Sequence, residues 1–468
     1  MKPVVGRKSF GLEAGAVKFS SIAPSQRWSR ASCAGQPTKR LGFPGRAAAG
    51  RMPWALTIAI YGTPIIDSLS YFGVTIAGIS LPQIVRGALF VLLLAGSLDA
   101  SRLTRWIYPL ALPLICLPLY SMFPALVAGV PLATTGVYVL RLAFPGAILL
   151  STATALGQRR IDVVWLRRAA WSVLLLTITA QLLGALFGHK AEAGDFGRAL
   201  WGFTLNPAIT AATLVSIVPL FLYVYRRPAV LYSSVGLSIL AALVTLRRAG
   251  IAAVAAALAI YVGVTLCRKG ERQRVLAVAA VVTVLSGLLV TRSAIGTDLV
   301  ARFEEADIRQ GGTASGRTSK LWPIAWDHIK ERGPLLQLVG EGPLAAPKTM
   351  LGAGAGLAAV GAHNDWFDLA FSTGLVGVLL YAWFYLRLLR LAKRLMSTRP
   401  NSGVACFAAV AALFVLGICT GGALDPGLGA VYVLFAFGAY ELATGQRLVT
   451  WQEGKPNGRP RRASPLAF

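Results

Sequence analysis

AVLYSSVGLSILAALVTLRRAGIAAVAAALAIYVGVTL, residues 229–266, contains two apolar runs separated only by Arg247 and Arg248. As a helix, each run is long enough to cross roughly 30 Å of hydrocarbon. Similar runs recur along the chain, and 55% of its 468 residues are hydrophobic while 14% are charged. This composition excludes an ordinary soluble domain and predicts an all-α polytopic membrane protein, because a helix satisfies its own backbone hydrogen bonds in lipid.

Hydropathy predicts about twelve transmembrane helices and one large loop between spans nine and ten. The approximate spans are 54–70, 82–98, 106–127, 130–156, 163–187, 207–225, 229–246, 249–267, 274–291, 366–386, 404–421 and 427–444. The predicted organisation is a basic arm at 1–53, spans one to nine at 54–291, the loop at 292–365, spans ten to twelve at 366–444 and a basic tail at 445–468.

The distribution of basic residues predicts the orientation. Net charge is +27, but Lys and Arg cluster in alternate loops rather than on one face, which indicates topology and attraction to anionic lipid and argues against nucleic acid. Both termini are therefore predicted to be cytoplasmic, with the loop 292–365 on the opposite, outer side of the membrane. Arg247 and Arg248 are the exception among the short outer turns, which favours a functional role.

The N-terminal arm has two interpretations. Its basic, Ser-rich composition is typical of a transit peptide, but a disordered cytoplasmic arm is the favoured interpretation. The five cysteines show no CxxC spacing, so neither a disulfide framework nor a metal site is predicted.

The large loop contains an amphipathic stretch, RTSKLWPIAWDHIKERGP at 317–334. A helix there would place apolar side chains on one face and end at Gly333-Pro334; these are Leu321, Trp322, Ala325, Trp326 and Ile329. We expect that face to lie on the membrane surface or on helix ends. The glycines of VGEGPL, 339–344, follow no strand, which favours turns and close packing over a phosphate loop.

His363 lies at the start of the tenth span and can accept or donate a proton near neutral pH. Asp365 and Asp368 are close enough in sequence to orient or tune it. A plain interfacial histidine is the alternative reading. Several permanent cations on the same predicted side suit a substrate with phosphate leaving groups. Arg141 lies within a span and is predicted either to line an internal cavity or to have no such role.

Four stretches together resemble the O-antigen ligase / O-antigen polymerase family of bacterial envelope glycosyltransferases. They are LNPAITAATLVSIVPL at 205–220, TLRRAGIAAVAAAL at 245–258, GRTSKLWPIAWDHIKERGPLLQLVGEGP at 316–343 and AHNDWFDLAFSTGLVGVLLYAWFYL at 362–386. The resemblance implies a bundle of twelve helices that transfers a glycan from an undecaprenyl-diphosphate donor to an acceptor hydroxyl, without metal or cofactor. The implied acceptor is a glycan or lipid A core, and a chain-length regulator or flippase is an implied partner.

The resemblance also implies roles for individual residues. Arg248 and Arg317 match arginines that bind and stabilise the leaving diphosphate, and His363 matches the family histidine. Arg247 stands where serine is usual and Ala249 where glycine is usual. Either Arg247 or Arg248 could therefore be the residue that contacts the diphosphate. Arg247, Arg141 and Asp365 are the secondary candidates for substrate binding.

Two other classes of function compete with the glycosyltransferase. A transporter of a small anionic solute would use Arg141 as part of an anion path, but transport requires polar groups near the midplane with access to both sides. The candidates here cluster at one predicted face. A scaffold in a glycan-export complex would leave the periplasmic arginines unexplained. Polymerase and ligase activities are equally compatible with the sequence.

Overall fold

The structure is a computed structural model that describes residues 54–76, 78–98, 105–187, 202–203, 207–225, 227–267, 321–343, 345–346, 362–446 and 448. Several predictions concern residues outside these ranges: the arm 1–53, the span 274–291, Arg317 and nearly all of the tail 445–468. Helices are numbered below in chain order over the described residues.

The described part is almost entirely helical. Its helices are α1 (Trp54–Tyr61), α2 (Thr63–Ser68), α3 (Leu81–Leu98), α4 (Tyr108–Val127), α5 (Leu132–Gly157), α6 (Val163–Leu186), α7 (Pro207–Val224), α8 (Pro228–Leu243), α9 (Arg248–Leu266), α10 (Trp322–Glu331), α11 (Pro334–Val339), α12 (Asp365–Thr398), α13 (Pro400–Thr420) and α14 (Gly429–Thr444). Short 3₁₀ turns occupy Leu69–Phe72 and Pro426–Leu428, and strands β1 (Thr75–Ile76) and β2 (Ile79–Ser80) pair antiparallel.

Seven of the described helical segments are long and apolar enough to cross a membrane: α4, α5, α6, α9, α12, α13 and the final segment Pro426–Thr444. The shorter apolar helices α3, α7 and α8 lie among them. Every predicted span except 274–291 overlaps one or more of the described helices. The fold class, an all-α polytopic membrane protein, is thus confirmed, whereas the number of twelve spans and the position of the large loop stay predictions.

Three elements differ from the sequence-based prediction. The first span, 54–70, consists of α1, α2 and a 3₁₀ turn, because Pro64 at the start of α2 provides no backbone N–H. The hairpin of β1 and β2 was not predicted. The tenth span was expected at 366–386 but α12 extends to Thr398, since its last three turns are good helix formers whose basic side chains leave the apolar region.

Small residues bring α13 close to its neighbours. It packs against α9, α12 and α7, and its inward face consists largely of alanines that are almost fully buried, namely Ala405, Ala408, Ala409 and Ala412. Gly403 and Gly438 sit where an added Cβ would strike Met396 and the Cys406 sulfur. Membrane helices associate through such small residues because lipid provides no hydrophobic driving force between them.

Candidate functional site

The Arg247/Arg248 pair lies in a tight turn between α8 and α9, the arginine turn (residues 245–248). Leu246 has a left-handed φ of 52°, which is costly for a bulky side chain and reverses the chain within a few residues. The Thr245 hydroxyl donates to the Ala242 carbonyl at 2.7 Å. Arg247 then flanks the start of α9 and Arg248 is its first residue, so both partly buried guanidinium groups emanate from a helix N-terminus.

His363 also has a left-handed φ, 54°, and lies two residues before α12 begins. The next residue, Asn364, caps α12 by accepting a hydrogen bond from the Trp366 backbone N–H at 2.9 Å. The Asp368 carboxylate accepts from the Ala362 backbone N–H at 2.8 Å. The half-buried imidazole is therefore carried on a backbone that is fixed on both sides, a form of strain that recurs at functional sites.

Asp365 connects α12 to the turn that follows α13. Its Oδ2 accepts from the Tyr381 hydroxyl at 3.0 Å and from the Ala423 backbone N–H at 2.9 Å, and the residue is 5% exposed. These bonds direct the carboxylate into the bundle. The geometry gives Asp365 a clear part in holding α12 in place, while a substrate contact or an effect on His363 stays a prediction.

Arg141, a residue of α5, reaches the turn that follows α13. Its guanidinium donates to the Gly421 carbonyl at 2.7 Å and interacts electrostatically with Asp365, Asp368 and Asp425. Arg141 as a whole residue is nevertheless partly accessible to solvent. A role for Arg141 in lining a cavity or binding substrate stays a prediction.

Close contacts bring the arginine turn and His363 to the same end of the bundle. A Cβ on Gly250, near the start of α9, would lie 2.7 Å from the Cβ of Ala211 in α7. A Cβ on Gly427 would lie 3.5 Å from the Thr213 hydroxyl of α7. Gly421, six residues before Gly427, adjoins His363: a Cβ there would be 3.4 Å from the histidine carbonyl carbon.

We call the end of the bundle reached by these contacts the site end. Of the sequence-predicted site residues, it contains Arg247, Arg248, His363, Arg141 and Asp365. Arg317 lies outside the described residues. Within the described part of the chain, no three His, Cys, Asp or Glu side chains are grouped to hold a metal ion.

A break in α12 is not apparent in the sequence. Gly374 adopts φ 61° and ψ −161°, a conformation open essentially only to glycine, and the helix resumes beyond it. The break frees the carbonyls of residues 370–372. Backbone N–H groups of Glu341 and Gly342 donate to the Phe371 and Ser372 carbonyls, at 2.8 and 3.1 Å.

Arg332 completes the capping of this break. Its guanidinium donates to the Ala370 carbonyl at 3.1 Å and lies 3.6 Å from the Glu341 carboxylate, which also contacts His328 at 3.1 Å. Burial lowers the pKa of Arg332, and the Glu341 carboxylate partly offsets that shift. We call the contacts of Arg332 and residues 340–342 with residues 370–374 the latch. In sequence, Arg332 looks like any basic residue at the end of a surface helix.

The amphipathic helix α10 packs beside the start of α12. The Trp322 indole N–H donates to the Ala362 carbonyl at 3.2 Å, and its ring centroid lies 6.0 Å from that of Phe367. Ala325 is fully buried and Ile329 packs in the same cluster. Trp326, by contrast, is 51% exposed. Only part of the apolar face of α10 therefore packs on the helix ends. The glycines at 340 and 342 form turns in close packing, as expected.

Residues 233–382 match a protein-family model described as O-antigen ligase. The match contains the arginine turn, His363, the latch and the break in α12. It supports the assignment of the chain to the O-antigen ligase/polymerase family and, with the apolar helices, to the multi-pass bacterial membrane proteins. Comparison with curated proteins gives no match.

Proposed function

From the O-antigen ligase domain at residues 233–382, which supports glycan transfer in polysaccharide assembly, we propose a specific reaction. The protein transfers a glycan from an undecaprenyl-diphosphate-linked donor to an acceptor hydroxyl at the periplasmic face of the inner membrane. The acceptor is a second lipid-linked glycan in a polymerase or lipid A core in a ligase. The observation that carries the proposal is that the arginine turn and His363 lie at the same end of the bundle, the site end.

The arginine turn suits the diphosphate of the donor. Arg248 begins α9, where the first backbone N–H groups and the helix dipole favour anions. A guanidinium adds a permanent positive charge and a planar fork that matches phosphate oxygens. Arg248, with Arg247 beside it and Arg317 from the loop, would stabilise the negative charge that develops as the diphosphate leaves.

His363 suits the acceptor side of the same reaction. The acceptor oxygen attacks the anomeric carbon, the bond between that carbon and the phosphate oxygen breaks, and undecaprenyl diphosphate departs with the bonding electrons. His363 accepts the hydroxyl proton as this bond forms. The fixed backbone on either side of the histidine supports this role, because a general base must be held in position throughout the transfer.

The first test measures turnover and donor binding with the full-length protein in proteoliposomes containing purified lipid-linked glycan. His363→Ala should lower turnover by roughly 10²- to 10⁴-fold with donor binding largely kept. Arg248→Ala should weaken donor binding and turnover, and Arg248→Lys should recover only part, because lysine lacks the fork. Arg160→Ala, an exposed arginine at the opposite end of the bundle, is the matched control and should leave both unchanged.

Full glycan transfer by folded His363→Ala protein would contradict the general-base role. If the His363 and Arg248 variants kept transfer but lost flux of an anionic solute, the transporter class would replace the proposal. Product size distinguishes the two acceptors, since a polymerase yields a ladder of lengthened lipid-linked glycans and a ligase yields glycan on lipid A core.

The second test concerns the membrane face. Reporter fusions after residues 310 and 455 should report periplasm and cytoplasm, because basic residues cluster in the alternate loops on the cytoplasmic side. The reverse pattern would place the arginine turn and His363 in the cytoplasm and would contradict a periplasmic reaction.

A further inference from the structure

The short helix α11 has an uncharged sequence, PLLQLV, and an exposed apolar surface. Leu335 is 69% exposed, Leu338 46% and Leu336 39%. Its one polar side chain, Gln337, is itself exposed, but its amide nitrogen donates to the Lys330 and Arg332 carbonyls at 3.0 and 2.9 Å. Three exposed leucines, beside an amide whose N–H donors are bonded within the protein, favour a lipid environment for this short helix.

The residues that follow α11 contact two helices that are long and apolar enough to span the membrane. A Cβ on Gly340, just after α11, would lie 2.5 Å from the Thr373 backbone nitrogen, about 12 Å along α12 from its start at 1.5 Å per residue. A Cβ on Gly342 would lie 3.1 Å from the Pro124 carbonyl in the last turn of α4. Both α4 and α12 are long and apolar enough to span the membrane.

The leucines of α11 extend the apolar outer surface of these two helices. Near its end α4 exposes Phe123, Leu126 and Val127, and just beyond the break α12 exposes Leu375 and Leu379. Because spanning helices face lipid with such residues, the surface of α11 continues an interface with acyl chains rather than one with water.

The preceding helix α10 has the opposite character. Asp327, Lys330 and Glu331 are exposed on it, and the Lys330 ammonium lies 5.1 Å from the ring centroid of the half-exposed Trp326. A tryptophan with a lysine reaching beyond it is typical of the boundary between membrane and water. The chain therefore passes from charged to uncharged surface at Gly333-Pro334.

We propose that α11 inserts into the acyl-chain region of the bilayer at the site end, with Leu335, Leu336 and Leu338 in contact with lipid. The latch holds it there, because Arg332 and residues 340–342 fasten both of its ends to the break in α12. The segment between spans is thus partly re-entrant. This inference goes beyond glycan transfer and does not depend on it.

The test is the accessibility of nitroxide spin labels in the full-length protein, with its five native cysteines replaced, in nanodiscs of phosphatidylethanolamine and phosphatidylglycerol. Labels are placed at Leu335→Cys and Leu338→Cys. Leu119→Cys, exposed in the middle of α4, is the lipid control, and Asp327→Cys on α10 is the water control. We expect collision with oxygen to exceed collision with a water-soluble nickel chelate several-fold at 335 and 338, as at 119, and the reverse at 327.

Each result decides the question. Nickel-dominated collision at both leucine positions means that α11 faces water and overturns the proposal. Low collision with both reagents and an immobile label mean that another part of the chain covers α11, which also overturns it. A photo-crosslinking residue at 335 in the otherwise natural sequence is the second measurement: adducts with phospholipid support the proposal, and adducts within the chain contradict it.

Discussion

The arginine turn and the break in α12 both interrupt helices at the site end, but they are held by different means. The turn is local: Leu246 adopts the left-handed conformation and Thr245 bonds a carbonyl three residues back. The break at Gly374 depends on residues more than 30 positions earlier in the chain, Arg332 and the 340–342 segment. The proposed anion site thus depends on contacts between adjacent residues, while the helix that follows His363 depends on the latch, whose residues are distant in sequence.

This difference has a physical consequence for stability. A turn held by adjacent residues forms as soon as its helices do, whereas the break requires closure of a long loop before its freed carbonyls are satisfied. Changes at the break should therefore affect the fold of the site end more strongly than changes at the turn, and changes at the turn should affect chemistry more selectively.

The largest effect is expected at the break. Gly374→Ala should destabilise the protein by at least about 3 kcal/mol, because alanine is strained at this backbone conformation and its Cβ would strike the Leu338 carbonyl. Gly236→Ala in α8, where a Cβ meets open space, is the control and should be neutral or stabilising. Thermal unfolding in detergent, with limited proteolysis of residues 321–343, measures both; equal stability of the two variants would mean that the break is not fastened as described.

A smaller effect is expected from the side chain of the latch. Arg332→Met should cost about 1–3 kcal/mol, because the Ala370 carbonyl and the Glu341 carboxylate lose a buried partner. Glu331→Gln, an exposed neighbour, is the matched control. Hydrogen exchange at residues 370–374 should accelerate in Arg332→Met alone. If protection there were unchanged, the backbone contacts of residues 341 and 342 would suffice to hold the break.

The smallest change in stability, but a selective change in turnover, is expected at the turn. Thr245→Val removes the bond to Ala242 and should cost about 1 kcal/mol while lowering glycan transfer several-fold, because Arg247 and Arg248 lose their fixed start. Thr265→Val removes an equivalent bond, to Tyr261, at the other end of α9. It should cost a similar amount of stability without loss of transfer; equal losses of transfer would assign both effects to the stability of α9.

The two regions also show what the sequence could predict. Apolar runs and an Arg-Arg junction specify two helices and a turn, and His363 before a capping Asn364 specifies the start of another helix. The break was beyond reach, because STGLVG reads as a helical stretch and the conformation of Gly374 is decided by the approach of Leu338 and Gly340. The role of Arg332 depends on the same approach.

The tertiary course of the first span was equally hidden. The run 54–70 has the length and hydropathy of one helix, yet Pro64 divides it and the buried Asp67 pairs with Arg86 of α3. In sequence, Arg86 is a single arginine near the start of an apolar run, and nothing there indicates its partner. Only the meeting of α2 with α3 reveals that its charge is neutralised inside the protein.

The length of α12 sets how deeply the protein sits in its membrane. From the break at Gly374 to Arg387, where the basic residues begin, the helix rises about 20 Å. We expect those cations to lie at the lipid headgroups, which would place the break about 10 Å below the opposite boundary of a 30 Å hydrocarbon layer. In a thicker bilayer the break and the segments fastened to it would lie farther from that boundary, so membrane thickness should affect the site end.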